Sequence, residues 1–378
     1  MKIVVAPDKF KGCVTAPDAA RAMGAGLRRA RADIEIDECP VADGGEGTVA
    51  ALVAATGGRL ESARVTGPLP EMKVDAAFGI LGDRATAVIE MAAASGLALL
   101  RPQDRNPLNT TTFGTGELLL AAERMGVRHI ILGIGGSATT DAGIGCAQGA
   151  GLTIVLENGQ PVSPTEPLCG GDLDSVILVK HARGSPIDHV RITVACDVTN
   201  PLYGPSGAAC IFGPQKGATP QQVRELDDSL RRLAERLGKT TEAATPGSGA
   251  AGGLGFGMLA FFNATLRPGA QIVLDAVRLR ERLRGADLCI TGEGRLDVQS
   301  LSGKAPIAVA RLCKELNVPC LALVGAIGEG ADAARTQGLT AYALIHDGTL
   351  TPAESMIRAE ALLERSAERW LAERPPRP

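Results

Sequence analysis

Short apolar runs alternate along this chain with amphipathic stretches. Ile3, Val4, Val5 and Ala6 form the first run, apolar at every position, so residues 2–6 read as a strand buried on both faces. A helix is predicted over 17–31, a strand over 34–41 and a helix over 48–55. The last hundred residues repeat this grammar, with strands at 286–291, 319–324 and 340–345 and helices at 304–316 and 331–337. A closing helix over 352–373 places Met356, Ala359, Leu363, Ala367 and Trp370 on one face, ahead of a frayed tail at 375–378. Strands and helices alternating at this spacing predict a doubly wound parallel sheet assembled from both chain ends. The middle has strand-like pieces at 60–66, 72–81 and 84–91, a helix at 114–125 and a strand at 129–132. Further strands follow at 175–179 and 191–195, then a charged helix at 220–237. The expected class is therefore α/β with two domains: residues 1–57 with 285–378, and an inserted α/β domain of residues 58–284.

Composition narrows the function. Its net charge of −3, with no long basic run, argues against a nucleic-acid footprint. Only 3% of residues are aromatic, so stacking on rings is not the main recognition device. The nine cysteines, an odd count without C-x-x-C, read as small buried hydrophobes in a reducing compartment. Four histidines without ligand spacing speak against a histidine-based zinc site. The chain enters its first strand without a leader-like segment, and its longest apolar region, 85–100, is too short to span a bilayer. A cytoplasmic protein without a membrane partner is expected, and a homo-oligomer is left open.

The 47 glycines change the picture most, because many gather where strands end. Ligands in open α/β sheets bind outside the carboxyl ends of the strands. After the first strand come Asp8, Lys9, Lys11 and Gly12; after the second, Asp43, Gly44, Gly45, Glu46 and Gly47. Glu293, Arg295 and Asp297 follow the 286–291 strand, and Asp197, Thr199 and Asn200 follow the 191–195 strand. The 129–132 strand runs into residues 133–151, GIGGSATTDAGIGCAQGAG, a strand-to-helix stretch whose backbone amides suit phosphate oxygens. Residues 247–257 read as a second glycine loop. Neither matches the P-loop or dinucleotide fingerprint, and Ser302-Gly303-Lys304 lacks the upstream glycine. No G-x-S-x-G elbow is present. Cations beside carboxylates and glycine loops suit phosphoryl transfer, which needs positioning and charge neutralisation more than covalent chemistry.

Several motifs together resemble one family. They are Ala6-Pro7-Asp8-Lys9-Phe10-Lys11-Gly12, Ala42-Asp43-Gly44-Gly45-Glu46-Gly47-Thr48 and the 133–151 stretch. With them go Ala195-Cys196-Asp197-Val198-Thr199-Asn200-Pro201-Leu202, Phe212-Gly213-Pro214-Gln215-Lys216-Gly217-Ala218 and Thr291-Gly292-Glu293-Gly294-Arg295-Leu296-Asp297. In this order, from residue 1 to about 365, the chain resembles the bacterial glycerate kinases (glycerate 2-kinase). The resemblance implies phosphorylation of D-glycerate by ATP with Mg2+, giving 2-phosphoglycerate, in organic-acid catabolism. Alternatives are the 3-phosphate as product or a related small hydroxy acid as substrate. It also implies a flavodoxin-like domain from both chain ends, an insert likened to restriction-endonuclease folds, and an active site in the inter-domain cleft. On that reading Asp8, Lys11, Glu293 and Arg295 hold the substrate. Asp197 is the first choice as base and Asp297 the second, while Lys9 and Lys304 neutralise developing charge. ATP lies on Gly135, Gly136, Ser137, Thr139 and Thr140, with Gly252 and Gly253 contributing, and Mg2+ is held by Asp43, Asp141 and Asp197. Two rivals are weighed against it: a nicotinamide-dependent dehydrogenase, disfavoured by the missing fingerprint, and a two-lobed carboxylate-binding protein.

Overall fold

The computed structural model describes residues 1–181, 185–301, 303–346 and 348–373. Ser302 and the tail at 375–378 lie outside these. The strands are β1 Lys2–Val5, β2 Glu35–Glu38, β3 Arg59–Thr66, β4 Lys73–Ile80, β5 Thr86–Glu90, β6 His129–Gly133, β7 Thr153–Leu156, β8 Val176–Lys180, β9 Arg191–Ala195, β10 Thr265–Arg267, β11 Leu288–Glu293, β12 Cys320–Val324 and β13 Ala341–Leu344. They fall into two compact units.

The first unit comprises Met1–Asp43, Ala50–Gly58 and the chain from Ala270 onwards. Its sheet has the order β13-β12-β11-β1-β2 with every pairing parallel. Read from the other edge this is the flavodoxin-like order, with the reversal between β1 and β11. Both strands are buried at their centres, where Thr291 is the polar exception and donates to the Ala6 carbonyl, because helices cover both faces. On one face Ile3, Val5, Leu288, Ile290, Leu321 and Leu323 pack with Met23, Leu27, Leu363 and Leu371. Those last residues belong to the helices Ala16–Ala30 and Ala359–Ala372. Thr15 caps the first of these by accepting from the Asp18 amide at 3.2 Å, with Pro17 in its opening turn. Gly26 lets the two helices meet: a Cβ there would lie 1.9 Å from the Glu364 carbonyl oxygen.

The second unit comprises Gly44–Val49 and Arg59–Gly269. Its six-stranded sheet runs β10-β9-β6-β5-β4-β3, parallel from β10 to β5 and antiparallel from β5 to β3. A separate hairpin pairs β7 with β8. The protein is thus mixed α/β with parallel sheets.

Three differences from the sequence reading have physical causes. Residues 270–284 belong to the first unit, not to the insert. Arg282 ties them there, paired with Asp37 and donating to the Ala55 carbonyl at 2.6 Å. The closing helix is two helices, Pro352–Ile357 and Ala359–Ala372, because Arg358 leaves the helical region at φ −101°, ψ 7°. Residues 247–253 are irregular, as a loop should be, but 254–257 are already helix. The helix Ala250–Phe262 starts inside this stretch and is kinked by left-handed backbone at Ala251, Gly252 and Gly253.

Candidate active site

In the first unit, β1 and β11 are parallel neighbours, so the loops leaving their carboxyl ends emerge at one edge of the sheet. The Asp8 amide donates to the Gly292 carbonyl at 2.9 Å, extending the pairing past β1. Asp8 and Glu293 are each only 5% exposed. Burial pushes the Asp8 carboxyl up to about 7, the nearby Asp43 charge adds to this, and Lys9 and Lys304 oppose it. Burial likewise lifts Glu293 to about 7, against Ser300 and Lys304, with Asp8 and Asp297 adding. Glu293 Oε1 is buried without a hydrogen-bond partner. Lys9 Nζ lies 3.8 Å from Asp43 Oδ1, both partly exposed. Lys304 stands at the N-terminal boundary of the helix Ala305–Glu315. Two buried carboxyls able to carry a proton near neutral pH, flanked by ammonium groups, form a constellation suited to handling an acidic substrate and its hydroxyl proton.

Lys11 and Arg295 are exposed at the same edge, and Arg295 Nε donates to Asp297 Oδ2 at 3.1 Å. Asp297, the second choice as base, is differently employed. Its Oδ1 accepts from the Gln299 amide at 2.9 Å and the Ser300 amide at 3.4 Å, opening the short helix Val298–Leu301. Its carboxylate is thereby employed in holding the loop.

In the second unit, β6 delivers the glycine stretch. Gly135 and Gly136 are exposed, whereas residues 137–149 are buried. The loop is fastened along its length: Gly136 accepts from the Leu97 amide at 2.8 Å, and the Ala138 amide donates to Ser95 at 2.9 Å. The Thr110 hydroxyl donates to the Ala138 carbonyl at 3.1 Å. The hydroxyl oxygens of Thr139 and Thr140 are buried without partners.

Asp141, expected beside the metal, is instead sealed inside at 0% exposure. Its Oδ2 accepts from the Thr112 amide and hydroxyl, both at 2.7 Å, and its Oδ1 from the Gly143 amide at 3.2 Å. Burial raises its carboxyl and these donors oppose the rise. The helix expected to present its N-terminus to phosphate, Ile144–Gly149, is six residues long, and Asp141 already serves as its anion. Thr112 links both ends, since its hydroxyl also accepts from the Cys146 amide at 2.8 Å. Thr112→Val keeps the volume and removes both bonds. A loss of about 1–3 kcal/mol in urea-measured stability is expected.

Gly252 and Gly253, expected on ATP, back the loop instead. A Cβ at Gly252 would stand 1.9 Å from the Thr139 carbonyl oxygen, and one at Gly253 2.8 Å from the Ala142 Cα. Asp197, after β9, is exposed, and its Oδ1 accepts from the Gly269 amide at 2.8 Å.

The comparisons decide the family. A model described as the glycerate kinase family matches residues 3–373. The chain belongs to the glycerate kinase family. It is 46% identical over 370 residues to a glycerate kinase of Halalkalibacterium halodurans, covering 97% of this chain and 96% of that one. It is 45% identical over 359 residues to glycerate 2-kinase of Escherichia coli K12, covering 93% of each. A crystal structure described as glycerate kinase 2 from Salmonella typhimurium LT2 superposes with a TM-score of 0.88 at 41% identity, covering 98% of this chain and 97% of that one. A glycerate kinase takes glycerate and ATP as substrates, which disposes of the dehydrogenase and binding-protein readings. Among the described residues, no helix is long and apolar enough to cross a membrane.

One residue of this glycerate kinase escaped the sequence reading. Lys216 is 1% exposed, and its Nζ donates to the Thr139 carbonyl at 2.6 Å. Burial pulls its ammonium down to about 7, with Asp141 the opposing charge. The signal available was a lysine in Phe212-Gly213-Pro214-Gln215-Lys216-Gly217, flanked by turn formers, which by itself reads as a surface loop.

Proposed function

We propose that this glycerate kinase transfers the γ-phosphoryl group of ATP to the C2 hydroxyl of D-glycerate, giving 2-phosphoglycerate and ADP, in organic-acid breakdown. The similarity to a relative named glycerate 2-kinase supports the position of transfer. The observation that carries the chemistry is the buried Asp8 and Glu293 pair between Lys9 and Lys304. Asp8 accepts the hydroxyl proton as oxygen attacks phosphorus, and Glu293 shares it. Lys11 and Arg295, exposed at the same strand ends, attract the substrate carboxylate. The ATP phosphates lie along the exposed Gly135 and Gly136 and on to Ser137, with the enclosed Thr139 and Thr140 shaping the loop from within.

Asp197 is here assigned to Mg2+ and not to the proton. Mg2+ takes one or two carboxylates and keeps waters and phosphate oxygens. The exposed Asp197, with one oxygen steadied by the Gly269 amide, fits that demand, whereas the enclosed Asp141 does not. Asp43 instead steadies Lys9. When bound, Mg2+ would neutralise charge on the β- and γ-phosphates. Asp197→Asn is expected to raise the Mg2+ concentration needed for half-maximal rate while the protein stays folded; an unchanged Mg2+ dependence would remove Asp197 from this role.

A coupled assay tests the reaction. D-glycerate and ATP are supplied with enolase alone, without a mutase. An absorbance rise is expected, because enolase acts on 2-phosphoglycerate. A signal appearing only after mutase is added would mean the 3-phosphate.

A further inference from the structure

Three cysteines lie together inside the first unit, beneath the strand ends that carry Glu293. Cys289 on β11 and Cys320 on β12 are direct cross-strand partners. Cys313 comes from the helix Ala305–Glu315, which packs on both strands. Strand alternation puts Leu288, Ile290, Leu321 and Leu323 into the core on one face, so Cys289 and Cys320 share the other. All three are fully buried, and their sulfurs lie within 4.8 Å of one another. Among the described residues, no fourth cysteine, histidine or carboxylate joins them.

We propose that Cys289, Cys313 and Cys320 form a three-thiol site for a trivalent, thiophilic metalloid, with arsenic(III) as the working ligand. Geometry and charge select this class. An arsenic(III) centre is pyramidal, and with bonds to sulfur of about 2.3 Å it wants its sulfurs roughly 3.5 Å apart, an inward shift of about 1.3 Å at most from the separations here. Zn2+ seeks four ligands, and among the described residues no fourth cysteine, histidine or carboxylate joins these buried three. Charge is the stronger filter, because an uncompensated buried charge costs several kcal/mol or more. A monovalent ion on three thiolates would leave two negative charges, and a divalent ion one. Arsenic(III) leaves none. Arsenous acid, As(OH)3, exchanges its three hydroxyls for three cysteine sulfurs. Three S–H and three As–O bonds break, three As–S and three O–H bonds form, three waters leave, and no atom changes oxidation state. Entry requires a transient opening of the helix from the sheet. Once bound, the ligand staples β11, β12 and the helix that Lys304 begins.

The test uses the full chain, reduced, freed of small thiols, incubated with arsenite and desalted under native conditions. Elemental mass spectrometry then reads bound arsenic. One arsenic per chain is expected for the native sequence and for Cys13→Ala, an exposed control, and loss of it for Cys313→Ala at an unchanged circular dichroism spectrum. No retention by the native sequence, or equal retention by Cys313→Ala, overturns the site. Preferential retention of copper(I) or zinc overturns the ligand class. Should Cys313→Ala fail to fold, alkylation mapping of the native sequence decides. Arsenite must then protect Cys289, Cys313 and Cys320 after unfolding, and protection of other cysteines instead overturns the proposal.

Discussion

Asp8→Asn is expected to lower kcat by roughly 10²–10⁴-fold, the range associated with losing a general base, and at the same time to stabilise the protein at pH 8. Both effects stem from one carboxyl held at about 7 against an ordinary value of 3.8. Between those values the unfolded chain has released its proton while the folded protein keeps it. Stability therefore falls as pH rises through this window, and the penalty is complete above about pH 7. Three pKa units correspond to about 4 kcal/mol at most. Asparagine removes the buried charge but also the attraction to Lys9 and Lys304, so a net gain on the order of 2 kcal/mol is expected at pH 8. Urea titrations of both proteins at pH 4, 6 and 8 check this. The advantage of the variant should be absent at pH 4 and grow with pH. Below pH 7 the unsubstituted enzyme should lose activity as the Asp8 and Glu293 pair takes up protons. An Asp8→Asn protein that keeps its kcat would return the proton to another carboxylate, with Glu293→Gln the next variant to measure.

This trade between stability and activity also shows what could be read from the chain in advance. Asp8, Lys9 and Glu293 were legible because strand ends are local features: an apolar run stops and a charged residue beside glycine comes next. The parallel sheet was legible for the same reason. Asp141 was found by the same rule, yet its role was not, because enclosure by Thr112 and Gly143 depends on a segment about thirty residues away. Gly252 and Gly253 were read as ATP-binding backbone, whereas the structure packs them closely against Thr139 and Ala142, which only tertiary structure reveals. β10, three residues long, carries too little pattern to register, and it exists because β9 offers it an edge. The chain crosses between units at Ala270 rather than at 285 because Arg282 reaches back to Asp37 and Ala55, contacts more than two hundred residues apart.

Lys216 is the extreme case, and its replacement carries the second large prediction. Lys216→Met fills a similar volume without the amine. It should raise the KM for ATP at least tenfold and lower kcat by about 10²-fold, the loss associated with misplacing reacting groups by about 1 Å. The KM for glycerate should stay nearly unchanged, because the amine's hydrogen bond goes to the loop proposed to hold phosphate. The reasoning starts from the 2.6 Å bond to the Thr139 carbonyl, beside two hydroxyls with no partner of their own. Without the amine, that carbonyl is left buried and unsatisfied, and the loop relaxes to find a donor. Stability separates this from a purely structural tie. Burial draws the amine down to about 7 from an ordinary 10.5, so the folded protein resists protonating it. That penalty is complete below pH 7 and fades as pH rises towards 10.5. Methionine escapes it, so Lys216→Met should compare best with the unsubstituted protein near pH 6 and worst near pH 10. A variant with altered stability but unchanged kinetic constants would make Lys216 a brace for the fold. A selective loss of ATP affinity at pH 6, where the fold is least harmed, would make it the residue that holds the phosphate loop in position.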